Sequence, residues 1–203
     1  MVPKIVDAEA RRQDVVDAVL RIIAVDGLER ASLREVADEA GLAVGSVRHY
    51  FAGSDELLAY SFGTVVNRIV GRLEANLPAV AAAAPGSPGQ RAAVLTLLGG
   101  LLPLDEERAL ETCAWMAFKN AARTRPFLAP EADRSHRRVA AVAGQVVAAL
   151  LPGAETEEDL VLEAERLLAT LDGLCMHALL QPGWMTAQMC SGVLERHLQA
   201  LGR

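Results

Sequence analysis

Three features of the 203-residue chain predict an all-α fold. Hydrophobic residues make up 52% of the sequence but aromatic residues only 4%, and the apolar share is mostly Ala, Leu and Val, which favours packed helices over a sheet. Apolar residues recur at three- and four-residue spacing, without strand-like alternation or an internal repeat. Gly and Pro punctuate the chain between these stretches.

The elements follow in order. Between Arg11 and Asp26, Val15, Val19, Ile22 and Ile23 mark one face of a first helix, and Gly27 stands where a left-handed stop is wanted. Ser32 opens the second, with Glu35 three residues later. In such a capping box the Ser hydroxyl takes a free backbone N–H while the Glu reaches back. Gly41 ends this helix, and a third spans about 44 to 51. Ser54 begins a fourth, whose stripe of Leu57, Leu58, Phe62, Val65, Val66, Ile69, Val70 and Leu73 continues until Leu77 meets Pro78. The segment AAAAPGSPGQ, 81–90, is expected to be an exposed loop between two parts. Further helices are expected at about 90–102, 105–124, 131–151, 156–181 and 186–201. Thr156 and Asp159 form another capping pattern, and Glu155, Glu157, Glu158 and Asp159 suit the positive end of that helix.

Composition excludes several classes of function. The longest apolar run, 93–104, is far short of the roughly 20 residues that span a bilayer, so no membrane segment is expected. The first residues lack the zones of a secretory signal, which places the protein in the cytoplasm. Cys113, Cys175 and Cys190 are too widely spaced for a disulfide framework or a C-x-x-C pair and read as small buried hydrophobes. The four histidines are equally scattered, so neither metal nor cofactor is expected. There is no G-x-S-x-G elbow, phosphate-binding G-x-x-x-x-G-K or H-E-x-x-H, so an enzyme is not expected. A net charge of −6 argues against a protein that coats nucleic acid indiscriminately.

The stretch SLREVADEAGLAVGSVRHYF, Ser32 to Phe51, carries the chemistry. Two helices crossing steeply need a small residue at the contact, here Ala37, and the sharp corner between them needs a positive φ, which Gly41 adopts freely. Val36, Leu42, Val47 and Phe51 can then face a core shared with the first helix. Val44, Gly45, Ser46, Arg48 and His49 remain exposed on the third, a short helix that fits the width of the major groove. His49 can read a base edge or pack beside Tyr50, whose ring can bury while its hydroxyl stays wet.

From about Ala18 to Leu58 the chain resembles the TetR family of bacterial transcription regulators, in the order and spacing of that family's DNA-binding domain. The resemblance implies that residues 1–53 form a helix-turn-helix DNA-binding domain and that 54–203 form a linking helix with an effector-binding and dimerisation domain. By position, Ser32 and Tyr50 would touch phosphates, Arg34 would lie along the backbone or reach a base, and Val44, Ser46, Arg48 and His49 would face base edges. The family often has Ser or Thr where Ala43 stands and Lys where Ser54 stands, so the third helix starts less well capped and one phosphate contact is missing. The C-terminal half looks like the family's variable effector domain, in a subgroup that includes choline-responsive repressors. The implied partners are double-stranded operator DNA, a small-molecule effector and a second copy of the chain. The implied function is a repressor that binds a palindromic operator as a homodimer and is released by its effector. The alternative is a helical small-molecule-binding protein with no DNA-binding activity.

In the second half, Asp172 interrupts LLATLDGLCMHALL, where a buried carboxylate would need a partner. It either pairs with an Arg across a dimer or pocket wall, or serves as counter-charge for a cationic ligand. Trp115 and Phe118 share a helical face with Asn120 displaced from it. These aromatics either fill the core or line an effector cavity floored by Met176. Cys175 and His177 read as interior fillers. The wide apolar faces of 156–181 and 186–201 exceed what one domain needs, and a homodimer packing them as a four-helix bundle would bury the surplus.

Overall fold

The computed structural model describes residues 8–153 and 156–201. Its α-helices are α1 (Ala8–Asp26), α2 (Leu33–Glu39), α3 (Val44–Tyr50), α4 (Ser54–Glu74), α5 (Leu77–Ala82), α6 (Pro88–Gly99), α7 (Glu106–Ala122), α8 (Ala129–Leu150), α9 (Glu157–Leu180) and α10 (Ala187–Gln199). Single 3-10 turns, not foreseen from periodicity, occupy Leu28–Arg30 and Pro126–Leu128. Among the described residues there is no strand, and no helix is long and apolar enough to cross a membrane. The stretch before Ala8 and Glu155, both read above, lie outside the described residues.

The chain divides into two compact units. The first takes residues up to Val66 together with Cys113–Ala132, and the second takes Asn67–Thr112 with the chain from Asp133 onward. Helices α4 and α7 each contribute to both. In the first unit, α1 packs on α2 and α2 on α3, around the buried side chains of Val15, Val19, Val36, Ala37, Val47 and Phe51. Leu42, expected in this core, is half-buried. Phe62 of α4 stacks on Phe118 of α7, with ring centroids 5.0 Å apart and planes 14° from parallel. In the second unit, α10 packs against α9 and α6, and Val94, Leu97, Val146, Leu167, Leu171 and Leu194 are buried. Thr170 of α9 gives its hydroxyl proton to the Arg166 carbonyl at 3.0 Å, so the ring Nδ1 of His197 donates to it, also at 3.0 Å. Burial, followed by the Arg166 charge, holds the His197 pKa below its ordinary value and the ring neutral.

Prolines account for the main departures from the expected boundaries. Helix α4 stops at Glu74, where Asn76 returns its side-chain amide to the Arg72 carbonyl at 2.8 Å. Pro78 then lies in the first turn of α5, where its missing N–H costs no helical bond. Pro88 likewise starts α6 behind the cap Ser87, leaving only 83–87 outside helix in the expected 81–90 loop. Gln90 is buried there, accepting the Gly86 N–H at 2.8 Å and donating to the Ala149 carbonyl at 3.1 Å. Helices α5 and α6 pack together inside the second unit, so this loop is a corner within that unit.

The caps vary in completeness. Thr156 and Thr186 accept the Asp159 and Met189 N–H groups at 3.1 and 3.2 Å. Ser32 accepts the Glu35 N–H at 3.2 Å, but the Glu35 carboxylate turns to Arg30 at 3.1 Å, while the Ser32 N–H goes to the Arg30 carbonyl at 2.8 Å. The capping box is therefore half formed. At the end of α2, Gly41 has φ +65° and its N–H meets the Asp38 carbonyl at 3.2 Å, while the Leu42 N–H meets the Ala37 carbonyl at 2.9 Å. These two bonds form a Schellman stop.

A Cβ at Gly41 would meet nothing within 4 Å, so the strain of the left-handed backbone alone sets the cost of adding one. Gly41→Ala is expected to lower unfolding stability by about 1–2 kcal/mol, read from urea denaturation. Ala43 offers α3 no side-chain cap. In the same assay Ala43→Ser is expected to raise stability by about 1 kcal/mol by supplying one.

Candidate nucleic-acid interface

Helix α3 has one side chain that is wholly buried, Val47, which fixes the helix on its support. Gly45, Ser46, Arg48 and His49 are exposed, and Val44 and Tyr50 are half-buried. Of the sequence-predicted readers, Ser46, Arg48 and His49 are thus exposed, while Val44, three residues before Val47, lies half-buried on the same side as it. His49 both packs and stays accessible: its ring meets Tyr50 edge-on at 5.4 Å, with planes 69° apart. Ser32 and Arg34, at the start of α2, are also exposed. With its oxygen accepting the Glu35 N–H, the Ser32 hydroxyl still has its proton to donate.

The corner from α3 into α4 is held from both ends. Phe51 is buried against the Tyr60 ring at 5.3 Å, and the Glu56 carboxylate accepts the Ala52 N–H at 2.7 Å. Tyr60 in turn donates to Glu9 at 3.2 Å and has the Arg12 guanidinium 5.8 Å from its ring centroid. Burial, then the Glu9 carboxylate, raises the Tyr60 pKa, so the phenol keeps its proton.

Most arginines of the first unit are paired. Arg11 faces Asp14 at 3.3 Å, Arg12 faces Glu9 at 4.0 Å, Arg21 faces Glu39 at 2.6 Å and Arg30 faces Glu35 at 3.1 Å. Glu29 is paired with Arg125 from the turn after α7. Among the described residues of this unit, Arg34 and Arg48 carry no ion pair, and nor does Arg123 just after α7. Much of the acid content of the head is thus taken up by the unit's own arginines, and the guanidiniums left for an outside anion include those on α2 and α3.

The residues predicted for an effector lie in different surroundings. On α7, Trp115 is buried with the Lys119 ammonium 4.2 Å from its ring centroid, Phe118 is fully buried against Phe62, and Asn120 is exposed. These three belong to the first unit, whereas Asp172 and Met176 belong to the second. Asp172 is exposed on the single chain, and Met176 is 40% exposed, contrary to the expectation that it floors an effector cavity. The buried stripe of α9 runs through Ala164, Leu167, Leu168, Leu171, Leu174 and Cys175, and positions 172, 176 and 177 turn away from it. His177 is accordingly exposed as well, while Cys175 and Cys190 are buried as expected and Cys113 is half-buried.

The buried carboxylate of the second unit is one that sequence reasoning missed, Glu111 on α7, at 2% exposure. Arg72 of α4 donates to its Oε2 at 2.7 Å and to the Gly100 carbonyl at 2.9 Å. Its flanking sequence, ALETC, marks Glu111 no better than the apolar neighbours of Asp172 mark that residue.

Residues 15–60 match the family profile described as bacterial regulatory proteins, tetR family, and residues 90–203 match that described as BetI-type transcriptional repressor, C-terminal. The chain is 33% identical to the HTH-type transcriptional regulator PksA of Bacillus subtilis (strain 168), over 98% of this chain and 93% of that one. Its fold is similar to that of a transcriptional regulator from Rhodococcus sp. Rha1, at 30% identity and TM-score 0.77, covering 94% of this chain and 95% of that one. It is also similar to the multidrug binding protein EbrR complexed with ethidium, at 28% identity and TM-score 0.63, covering 95% of this chain and 99% of that one. With a matching profile over residues 90–203 and PksA similar along nearly its whole length, the chain belongs to the TetR family and is a ligand-responsive, DNA-binding transcriptional regulator.

Proposed function

We propose that the chain is a cytoplasmic, non-enzymatic repressor that binds a palindromic operator as a homodimer and releases it on binding a small molecule. The observation that carries this reading is the exposed face of α3, where Arg48, without an ion pair, stands beside Ser46 and His49. Arg48 is the bidentate base reader, with His49, Ser46 and Val44 flanking it. Ser32, Arg34 and Tyr50 set the register on phosphates and sugars. Functionally, residues 1–53 are the reading domain and 54–203 carry the response and the dimer.

Dimerisation is assigned to α9 and α10. Val161, Leu162, Leu180, Met189 and Val193 are exposed there, as is Trp184 in the turn between them at 73%. An open groove of about 520 Å³ follows α10 past Met189, Gly192 and Val193. On α9, Leu162, Ala169, Asp172, Met176 and Leu180 fall at three-, four- and seven-residue spacing on one exposed side, so Asp172 is read as an interface carboxylate. Reading a palindrome with both heads requires two α3 helices one DNA turn apart, about 34–36 Å, and a twofold dimer is the symmetry that matches it. The effector reading is supported by EbrR, a relative that binds ethidium. On α7, Trp115 is the candidate aromatic contact and Asn120 the candidate polar one, while Phe118 is committed to Phe62. An effector acts only through different affinities for the DNA-binding and released states, and α4 is the element that moves between them.

Selection of binding sites from random duplex DNA should recover an inverted repeat. On that DNA, Arg48→Ala is expected to weaken binding by about 1–3 kcal/mol and relax preference at one base pair per half-site, read by gel shift at fixed salt. Recovery of no preferred sequence would favour the alternative, a helical small-molecule-binding protein. Sedimentation should give twice the chain mass for the native protein. Val193→Glu should give monomers that lose the inverted repeat while keeping their helical circular dichroism, and a Val193→Glu protein that stays dimeric would place the interface elsewhere.

A further inference from the structure

The surroundings of Arg72 are those of a cation site. Its Nε donates to the Gly100 carbonyl at 2.9 Å and its Nη2 to Glu111 Oε2 at 2.7 Å. The other carboxylate oxygen, Oε1, is buried and has no hydrogen-bond partner. The Arg72 side chain is 29% exposed against 2% for Glu111, so the guanidinium is the half of the pair that water can reach. Gly100 caps the C-terminal end of α6, where the helix dipole is negative. Its neighbours are already served by other donors: the Gly99 carbonyl by Arg108 at 2.8 Å, and the Leu101 carbonyl by Thr112 and Cys175, each at 3.5 Å.

Stability does not account for this arrangement. A buried ion pair is often no better than apolar packing of the same volume, and one with an unmet acceptor is worse. A carboxylate, a helix-end carbonyl and a spare lone pair do, however, form an acceptor set for a cation that carries several N–H groups. The protein's own guanidinium fills that set only in part.

We propose that this is an effector site held in the free protein by Arg72, and that the effector is an organic cation bearing N–H donors, a primary amine or guanidinium, which replaces Arg72 on Glu111 and Gly100. The inference rests on the effector reading above and names the chemistry of that effector. Charge is conserved in the exchange: one cation enters, the Arg72 guanidinium moves out to water, and Glu111 stays neutralised. Since α4 is a single helix from Ser54 to Glu74, removing Arg72 from α6 and α7 takes away a polar tie at its far end, where Ile69, Val70 and Leu73 stay buried. A second polar tie remains, because Arg138 of α8 donates to Asn67 at 2.7 Å and lies 3.4 Å from Glu74. The helix therefore shifts within its packing and stays attached.

Competition tests this on the full chain, with ethylguanidinium as the probe. Arg72→Ala, which removes the same tie that the effector would displace, should speed hydrogen exchange in the peptide covering 67–74 and weaken binding to the selected operator, each by about tenfold, while exchange across 15–50 is unchanged. Millimolar ethylguanidinium should produce both changes in the wild-type protein, and tetramethylammonium, a cation without N–H donors, should produce neither. Glu111→Gln should abolish both responses to ethylguanidinium. Equal effects of the two cations, an undiminished response without Glu111, or no change in 67–74 on losing Arg72 would each overturn the proposal. Should Arg72→Ala fail to fold, Arg72→Lys keeps a charge with fewer donors and should show smaller changes of the same sign; wild-type exchange in 67–74 would overturn it. The exchange readout needs no DNA, so failure to find an operator counts against the repressor reading and leaves the Arg72 site to be decided separately.

Discussion

At Gly41 the backbone must turn left, and the reading head depends on that turn. The Schellman bonds that close α2 spend the Gly41 and Leu42 N–H groups on the helix they have just left, so the chain reverses over a few residues before α3 begins. The reversal brings Val47 back onto the core beside Val36 and Ala37, and Val47 is the one buried side chain of α3. A seven-residue helix is too short to be stable alone. It persists because both ends are fixed, by the turn before it and by Phe51 after it. Since its stability comes from its ends and a single anchor, the remaining positions are free to be chosen for what they meet outside.

The same economy explains how a chain of net charge −6 can approach a polyanion. Phosphate affinity depends on which cations are available, and the total says little about that. In the first unit most arginines lie against a carboxylate, some along α1 and others bridging elements, as Arg21 does to Glu39 and Arg125 to Glu29. Exposed pairs of this kind contribute little to stability. Their effect is to quiet the field around Arg34 and Arg48, which carry no ion pair. A reader with few available cations binds arbitrary DNA weakly, which favours discrimination over affinity.

Features whose cause is local were legible in the sequence. Gly27 and Gly41 are readable because a positive φ is a property of one residue, and Ser32 and Thr156 because a cap reaches only three residues ahead. The prolines were ambiguous for the same local reason: Pro78 and Pro88 mark the end of one helix and the first turn of another equally well. Facing was the harder question. The helix containing Asp172 is apolar over much of its circumference, so periodicity cannot say which side meets the core, and Asp172 and Met176 both lie on the exposed side. Glu111 was missed altogether. Its burial is decided by α4 and by the end of α6, which lie 39 and 11 residues away in sequence, and no neighbouring residue announces it. The exposed face of α3 could be placed because α2, α3 and the turn form one short, self-contained stretch, whereas the surroundings of the side chains proposed for an effector depend on long-range packing.

Helix α4 joins these two kinds of determinant, and the magnitudes suit its role. Its first turn is tied to the end of α3 by the Glu56 carboxylate, and its last turn to α6 and α7 by Arg72. A ligand that changes DNA affinity by 5- to 150-fold must supply a coupling free energy of about 1–3 kcal/mol. A hydrogen bond to a charged group is worth about 1.5–3 kcal/mol net, so gaining or losing the two bonds at Arg72 is enough, without repacking the core around Ile69, Val70 and Leu73. Ile69, Val70 and Leu73 are themselves buried, so burial keeps this end of α4 packed and the Arg72 bonds can bias only its position within that packing. A half-satisfied pair, with the carboxylate buried and the guanidinium within reach of water, is weak enough for one small molecule to exchange and strong enough to bias that position, which is what the proposed switch requires.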